Sequence, residues 1–212
     1  MKLEINLEKK SIWSFLENPA LYRLSQRLLA PGSEASVIGE IKKILKPSTS
    51  TQRNLEVGCG PHSLLWQVPL YPYGLDLVHA YNVRFKSQGG QAITGSASTL
   101  PFRDGSFDNV WSFGLLHHLS DERAGQTIRE VLRVVRPEGR IILFDGVLPR
   151  SAWRSPLIWL LRKLDRGRHM RRQDKLESLL YDRKRWQVRR FQYCFWGHEG
   201  VLCVYQKPAP NL

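Results

Sequence analysis

A short apolar run ends in two glycines at Asn54-Leu55-Glu56-Val57-Gly58-Cys59-Gly60-Pro61, and about twenty residues later Tyr73-Gly74-Leu75 ends in Asp76. Glycines at such a turn let the chain bend tightly and let a ligand approach main-chain N–H groups without a side chain in the way. A carboxylate at the end of the next apolar run is well placed to accept hydrogen bonds from a ribose diol. The same glycines also fit a purely steric reading, a tight turn into a helix, and that alternative stays open at this point. The remaining titratable groups of interest are His117, His118 and Asp145. Histidine suits proton transfer near neutral pH, and a nearby carboxylate can orient it, so these three are the best base candidates in the chain. The histidine pair fits equally well as a cap beneath a strand end, and Asp145 as a cap of the following turn.

These residues need elements to hold them. Apolar runs at 54–57, 73–77, 91–95, 108–113 and 140–144 read as strands, with helical spacing between them, most clearly at 121–135 through Ile128, Val131, Leu132 and Val135. Arg136-Pro137-Glu138-Gly139 closes that helix with turn residues where they belong. Strand–helix alternation of this kind predicts a parallel sheet covered by helices. The end of the chain breaks the pattern: 187–195 and 201–207 are two strand-like runs joined by Trp196-Gly197-His198-Glu199-Gly200. An ordinary dinucleotide-binding domain would continue with another crossover helix. Ahead of the alternation, 11–45 reads as two helices broken at Pro31-Gly32-Ser33, the second with the apolar stripe Val37, Ile38, Ile41, Ile44.

At 212 residues, 42% hydrophobic and 24% charged, the chain has the size and composition of one globular domain. Residues 1–10 lack the pattern of a signal peptide, and runs such as Pro156-Leu157-Ile158-Trp159-Leu160-Leu161 are too short to span a bilayer. Three cysteines, Cys59, Cys194 and Cys203, offer neither a disulfide framework nor metal-ligand spacing, so no metal is expected. The expected location is the cytoplasm. Of the net charge of +13, the stretch 150–190 holds +10, from fourteen Lys/Arg against four Asp/Glu. A near-neutral body with one strongly basic segment favours an anionic partner: a phosphorylated substrate, an acidic membrane surface or nucleic acid. The plain alternative is a solvated helix face. Trp153, Leu157, Leu160, Leu161 and Leu164 follow helical spacing with Arg154, Arg162 and Lys163 between them, a composition suited to an anionic membrane surface, a lid over a lipid-like substrate, or a helix packed on the sheet edge.

Taken together, the glycine turn, Leu100-Pro101-Phe102-Arg103-Asp104-Gly105-Ser106-Phe107-Asp108, Leu115-Leu116-His117-His118-Leu119 and the stretch from Glu130 through Gly139 resemble the class I S-adenosylmethionine-dependent methyltransferases, in particular the type 11 group related to quinone and lipid methylating enzymes. The resemblance covers 55–145 and extends through the terminal hairpin by topology. It implies a Rossmann-like α/β fold: a mostly parallel seven-stranded sheet, a terminal antiparallel hairpin and helices on both faces. One methyltransferase domain would then comprise N-terminal helices (1–46), a cofactor-binding core (54–147), a basic helical insertion or lid (150–186) and the hairpin (187–208).

The resemblance also implies roles around S-adenosyl-L-methionine. Glu56, Gly58 and Gly60 would surround its methionine part, with main-chain groups approaching the carboxylate and amino group. Asp76 would hold the ribose, Leu77 would pack on the adenine face, and Ser96 and Ala97 would lie at the adenine edge. Ser112, Phe113 and Gly114 would sit beneath the sulfonium, with His117, His118 and Asp145 as base candidates. Two positions depart from the family pattern: His62 stands where a third glycine is common, and Ser96 where an aspartate often reads the adenine amino group. Loss of one charged hydrogen bond costs about 1.5–3 kcal/mol, enough to weaken cofactor binding without abolishing it. The run Ser112-Phe113-Gly114-Leu115 lacks the Asn/Asp-Pro-Pro-aromatic loop of amine-methylating nucleic-acid and glutamine enzymes, and no Pro-Cys nucleophile is present for cytosine C5 chemistry. The expected activity is methyl transfer to a small-molecule or lipid-linked acceptor, with work at an anionic membrane surface as one form of it. An RNA methyltransferase using the basic segment and a non-catalytic cofactor-binding regulator are the alternatives.

Overall fold

Burial along the central strands decides the architecture, because the strands at 54–57, 107–113 and 140–146 bury residues on both faces. The computed structural model describes residues 30–44, 52–68, 70–151, 153, 155–163 and 168–209. Strands β1 (Asn54–Val57), β2 (Tyr73–Asp76), β3 (Gln91–Thr94), β4 (Phe107–Phe113), β5 (Val135–Gly146), β6 (Trp186–Gln192) and β7 (Glu199–Gln206) form one sheet in the order β3-β2-β1-β4-β5-β7-β6. The first five run parallel; β7 lies antiparallel between β5 and β6. This is the expected seven-stranded sheet with a terminal hairpin. The strand order reverses beside β1, so a crevice opens at the carboxyl ends of β1 and β4, where open α/β sheets bind ligands.

On one face Leu55, Val57, Val110, Ile141, Leu143, Val201 and Cys203 pack with Ile128 and Val131 of helix α3 (Asp121–Val134). The alternate residues Trp111, Ile142, Phe144 and Leu202 pack with Val37, Ile38 and Ile41 of α1 (Ser33–Ile44). Helix α2 (His79–Ser87) joins β2 to β3, and Phe85 from it is fully buried beside Ala92 and Cys59. Short helices α4 (Pro156–Lys163) and α5 (Gln173–Glu177) follow β5.

Helix α3 is well specified locally. Ser120 caps its first turn by accepting from Arg123 N–H, Asp121 and Glu122 stand at its positive end, and the buried set Ala124, Thr127, Ile128, Val131, Val134 repeats every three to four residues. Its far end is closed from the other end of the chain: Lys207 Nζ donates to Leu132 O (2.8 Å) and Val135 O (2.7 Å).

Four sequence expectations change. The glycine turn leads into a single 3-10 turn, Leu64–Gln67, capped by the Ser63 side chain, where a full helix was expected. The chain has only residues 58–72 between β1 and β2, and Leu65 from the turn packs against α1 instead, which covers that face of the sheet. The fifth strand begins at Val135 rather than 140, because Val135 pairs with Phe107 before a register shift at Phe107/Asn109. Gly139 sits where a Cβ would lie 2.6 Å from Asp108 O, so the turn 136–139 folds tightly onto β4 and the strand resumes. The sixth strand ends at Gln192, not 195, and the basic helix spans 156–163. The second N-terminal helix is present as α1; the first, expected in 11–29, lies outside the described residues. Among the described residues no helix is long and apolar enough to cross a membrane.

Candidate active site

The site grows from two sides of the crevice. On the β1–β2 side the glycine turn has positive φ at Gly58 (72°) and Gly60 (59°), and a Cβ at Gly58 would come within 2.9 Å of Leu115 Cδ1. Gly58 N–H and Cys59 N–H both donate to Leu75 O, at 2.7 and 3.2 Å. Asp76 Oδ2 accepts from Gly60 N–H (3.0 Å) and Oδ1 from Val78 N–H (2.8 Å). This corrects the expectation that the turn offers its N–H groups to a ligand: three of them are bonded to β2. The carboxylate of Asp76 instead anchors the turn, using two of a carboxylate's roughly four lone-pair sites.

Glu56 points from β1 into this turn, 3% exposed, and takes a hydrogen bond from the Ser63 hydroxyl. Burial pushes its carboxyl up to about 8, with the neighbouring Asp76 charge adding to the rise and Ser63 opposing it. A buried carboxyl so starved of solvation favours a cation as neighbour, and the ammonium of an amino-acid moiety suits it. His62 does not enter this space: its ring stands edge-on to Trp66 at 5.0 Å, with Nδ1 3.4 Å from Gln88 Oε1. Next along the sheet edge, Leu77 is exposed just past Asp76 and offers an apolar surface for an aromatic ring. Ser96 turns onto Ser98, hydroxyl to hydroxyl at 2.8 Å, while Ala97 packs against the first core. Glu56, Asp76 and Leu77 thus follow one another along one edge, a donor set that fits the amino group, ribose and base of an adenosylated amino acid.

On the β4–β5 side, Ser112 is buried and donates to Val57 O (2.9 Å), bracing β4 against β1. Phe113 is half-buried against the second core, and Gly114, at φ 67°, donates to Phe144 O (2.8 Å). A 3-10 turn, Leu116–His118, then carries the histidines. His117 Nδ1 lies 2.5 Å from Asp145 Oδ1, and His117 N–H donates to Asp145 Oδ2 (3.1 Å). The His117 and His118 rings lie 4.1 Å apart. Asp145, at the end of β5, is 1% exposed. Burial alone would raise its carboxyl, but the charge and hydrogen bond of His117 outweigh it and hold the carboxyl below its ordinary value. With Nδ1 turned to Asp145, the ring is oriented as a general base would be. The turn brings the imidazole Cε1 3.6 Å from the Cβ position of Gly114.

Sequence reading missed three arginines. Arg162, Arg171 and Arg190 lie in or beside the segment read as an outward basic face, yet their side chains are buried. Arg162 donates to Tyr193 Oη and stacks over that ring at Gly146. Arg190 binds Glu199 and donates to Leu148 O (3.0 Å). Arg171 Nε reaches Asp121 (2.8 Å), and its two terminal nitrogens reach Leu116 O (2.7 Å) and Leu119 O (2.6 Å). Arg172, Lys175, Arg183, Arg185 and Arg189 pair with carboxylates at the surface. Much of the positive charge is therefore spent on the protein itself. No sequence spacing marks these residues; their partners are main-chain carbonyls, carboxylates and a ring that lie far off in the chain or on other elements.

A separate cavity of about 240 Å³ lies at the amino ends of the strands, lined by Gln52, Asn109, Trp111 and Arg140 among others, away from the crevice. Among the described residues no cluster could hold a metal ion.

Comparison with known proteins agrees with the fold. A family model described as a methyltransferase domain matches residues 55–143. A tRNA (carboxymethyluridine(34)-5-O)-methyltransferase of Arabidopsis thaliana is 33% identical over 91 residues, 42% of this chain and 22% of that protein. The 27-O-demethylrifamycin SV methyltransferase of Amycolatopsis mediterranei is 46% identical over 55 residues, 26% of this chain and 20% of that one. A crystal structure of an S-adenosylmethionine-dependent methyltransferase from Thermotoga maritima superposes with a TM-score of 0.70 at 15% identity, covering 92% of this chain and 100% of that chain, which speaks to the fold. The chain spans between 22% and 33% of the length of the first curated relatives it matches.

Proposed function

We propose that the chain is a class I S-adenosylmethionine-dependent methyltransferase of the type 11 group, in keeping with the methyltransferase-domain match over residues 55–143, and that it methylates a small-molecule or lipid-linked acceptor through a hydroxyl or acidic C–H group. The observation that carries the proposal is the Asp145–His117 pair at the β4–β5 end of the crevice. S-adenosylmethionine supplies an already activated methyl group, so the protein's work is alignment and proton removal. Glu56 would face the amino group, Asp76 the ribose and Leu77 the adenine, with Ser96 and Ala97 at its edge. His117 Nε2 would take the acceptor's proton while Asp145 holds the ring and stabilises the imidazolium. His118 stacks on that ring and shields it.

Support for an apolar or lipid-linked acceptor comes from the surface: Trp153 is 95% exposed, Phe195 81% and Trp196 55%, and Leu160 of α4 also faces out. Exposed aromatic residues, together with the exposed Arg150 and Arg168, suit contact with an anionic membrane from the cytoplasmic side. An RNA acceptor is the second reading, favoured by the likeness to a tRNA methyltransferase. A cofactor-binding regulator without turnover is the third.

The test is calorimetric titration with S-adenosylmethionine and its demethylated product, on wild type and Asp76→Ala, followed by transfer of labelled methyl to lipid extracts, small molecules and RNA. Micromolar binding lost in the variant, with label entering lipid or small molecules, supports the proposal. Label entering RNA selects the second reading, and binding without any transfer selects the third. No binding to either ligand removes all three.

A further inference from the structure

Residues 168–172 lie across both loops that carry the proposed base. His169 N–H donates to His117 O (3.0 Å), which fixes the histidine turn, and Leu148 N–H donates to Arg171 O (2.8 Å), which fixes the loop after Asp145. Between these two main-chain bonds the Arg171 side chain, 6% exposed, reaches carbonyls on either side of the histidine pair, Leu116 O and Leu119 O, and the Asp121 carboxylate that opens α3. Carbonyls at the end of a helical turn lack partners within it, and a guanidinium can satisfy two at once because its donors are held in a planar fork. The 2.5 Å contact between His117 and Asp145 tolerates little displacement of that turn.

From this geometry we infer that Arg171 is a positioning residue: it sets the distance and angle between His117 and Asp145, and the basic segment thereby completes the proton-handling side of the site. The inference rests on the reading of His117 as the base. The groups that face His117 are Asp145 from β5, bonded to its Nδ1, and His118 from the same turn, its ring 4.1 Å away, while Arg171 reaches the turn through Leu116 O and Leu119 O. Charge alone does not account for the arrangement, since the guanidinium is partnered by a carboxylate and its remaining contacts are to neutral carbonyls. A merely structural role would require only that the segment stay docked, which the main-chain bonds from His169 to His117 and from Leu148 to Arg171 already secure.

The test uses the full chain with ¹³C-labelled histidine. The His117 signal, assigned by its loss in His117→Gln, is followed through a pH titration in wild type, Arg171→Met and Arg171→Lys, alongside methyl transfer against pH. In Arg171→Met the His117 titration midpoint shifts and transfer falls by about a hundredfold, the size expected of a misplaced catalytic group, while cofactor affinity holds. Arg171→Lys recovers only part of either effect, because one ammonium cannot bridge both carbonyls in the same plane. An unchanged His117 titration in folded Arg171→Met overturns the inference, and so does full recovery by lysine. Should the methionine variant not fold, an unchanged His117 titration in Arg171→Lys overturns it equally. Absence of methyl transfer by wild type to any acceptor refutes the functional reading instead, and the His117 titration still reports on Arg171.

Discussion

The two sides of the crevice are built on different scales. The β1–β2 side is closed within residues 56–78: Glu56 with Ser63, Gly58 with Leu75, Gly60 with Asp76, Asp76 with Val78, each a short-range link. The β4–β5 side is assembled from afar, His117 with Asp145 across 28 residues, Arg190 with Leu148 across 42 and Arg171 with Leu116 across 55. A local device is carried by residue types at fixed spacing. A long-range one is carried by whichever side chain can reach, so its parts are scattered through the sequence. If the proposed binding and proton-handling roles hold, they reside in separately constructed halves, and substitutions should separate them.

The largest effect is expected from Asp145→Asn. Losing an oriented base should lower methyl transfer by about 10²–10⁴-fold, measured with labelled cofactor, while cofactor affinity stays within error; a parallel loss of affinity would show that the halves are not independent. Asp76→Ala should do the reverse. It removes the ribose acceptor and releases Gly60 N–H, and cofactor affinity should fall by about a hundredfold, read by calorimetry, with the His117 titration untouched.

Smaller, and confined to the first half, is a pH effect. The folded chain keeps a proton on Glu56 up to about 8, whereas an ordinary carboxylate releases it near 4.5. The stability this proton contributes is present below 4.5 and is lost as pH rises toward 8, so unliganded protein should become less stable across that window. A bound ammonium favours the ionised form, and cofactor affinity should therefore rise with pH from 6 to 8, by up to about tenfold per unit. Glu56→Gln should flatten both curves in thermal melts and calorimetry. The smallest effect belongs to neither half: Lys207→Met leaves two carbonyls at the end of α3 without their cation, costing about 1 kcal/mol and about 2–4 °C in melting temperature.

The same difference in scale explains what could be read from sequence. The alternating strands, the terminal hairpin and the spacing from Gly58 to Asp76 were legible because each rests on local periodicity or a turn. The His117–Asp145 pairing was legible only as proximity to two strand ends. Arg162, Arg171 and Arg190 were not, since arginine ordinarily signals a wet surface and nothing nearby in sequence names a buried partner. Even the legible glycine turn misled in one respect. Its N–H groups were read as ligand donors, yet a carbonyl on β2 takes two of them, a choice that depends on how close the neighbouring strand runs.

The position of β7 has a consequence for synthesis. The last strand of this sheet in chain order is an interior one, paired on both edges, and the lysine just beyond it closes the helix made by residues 121–134. Domains commonly begin to fold while their chains are still being made. Here a nascent chain that has exposed everything through β6 still has an open edge on β5 and nothing to carry β6. The sheet can be completed only once β7 has emerged, so translation that stalls near residue 195 would leave the edge of β5 open to chaperones.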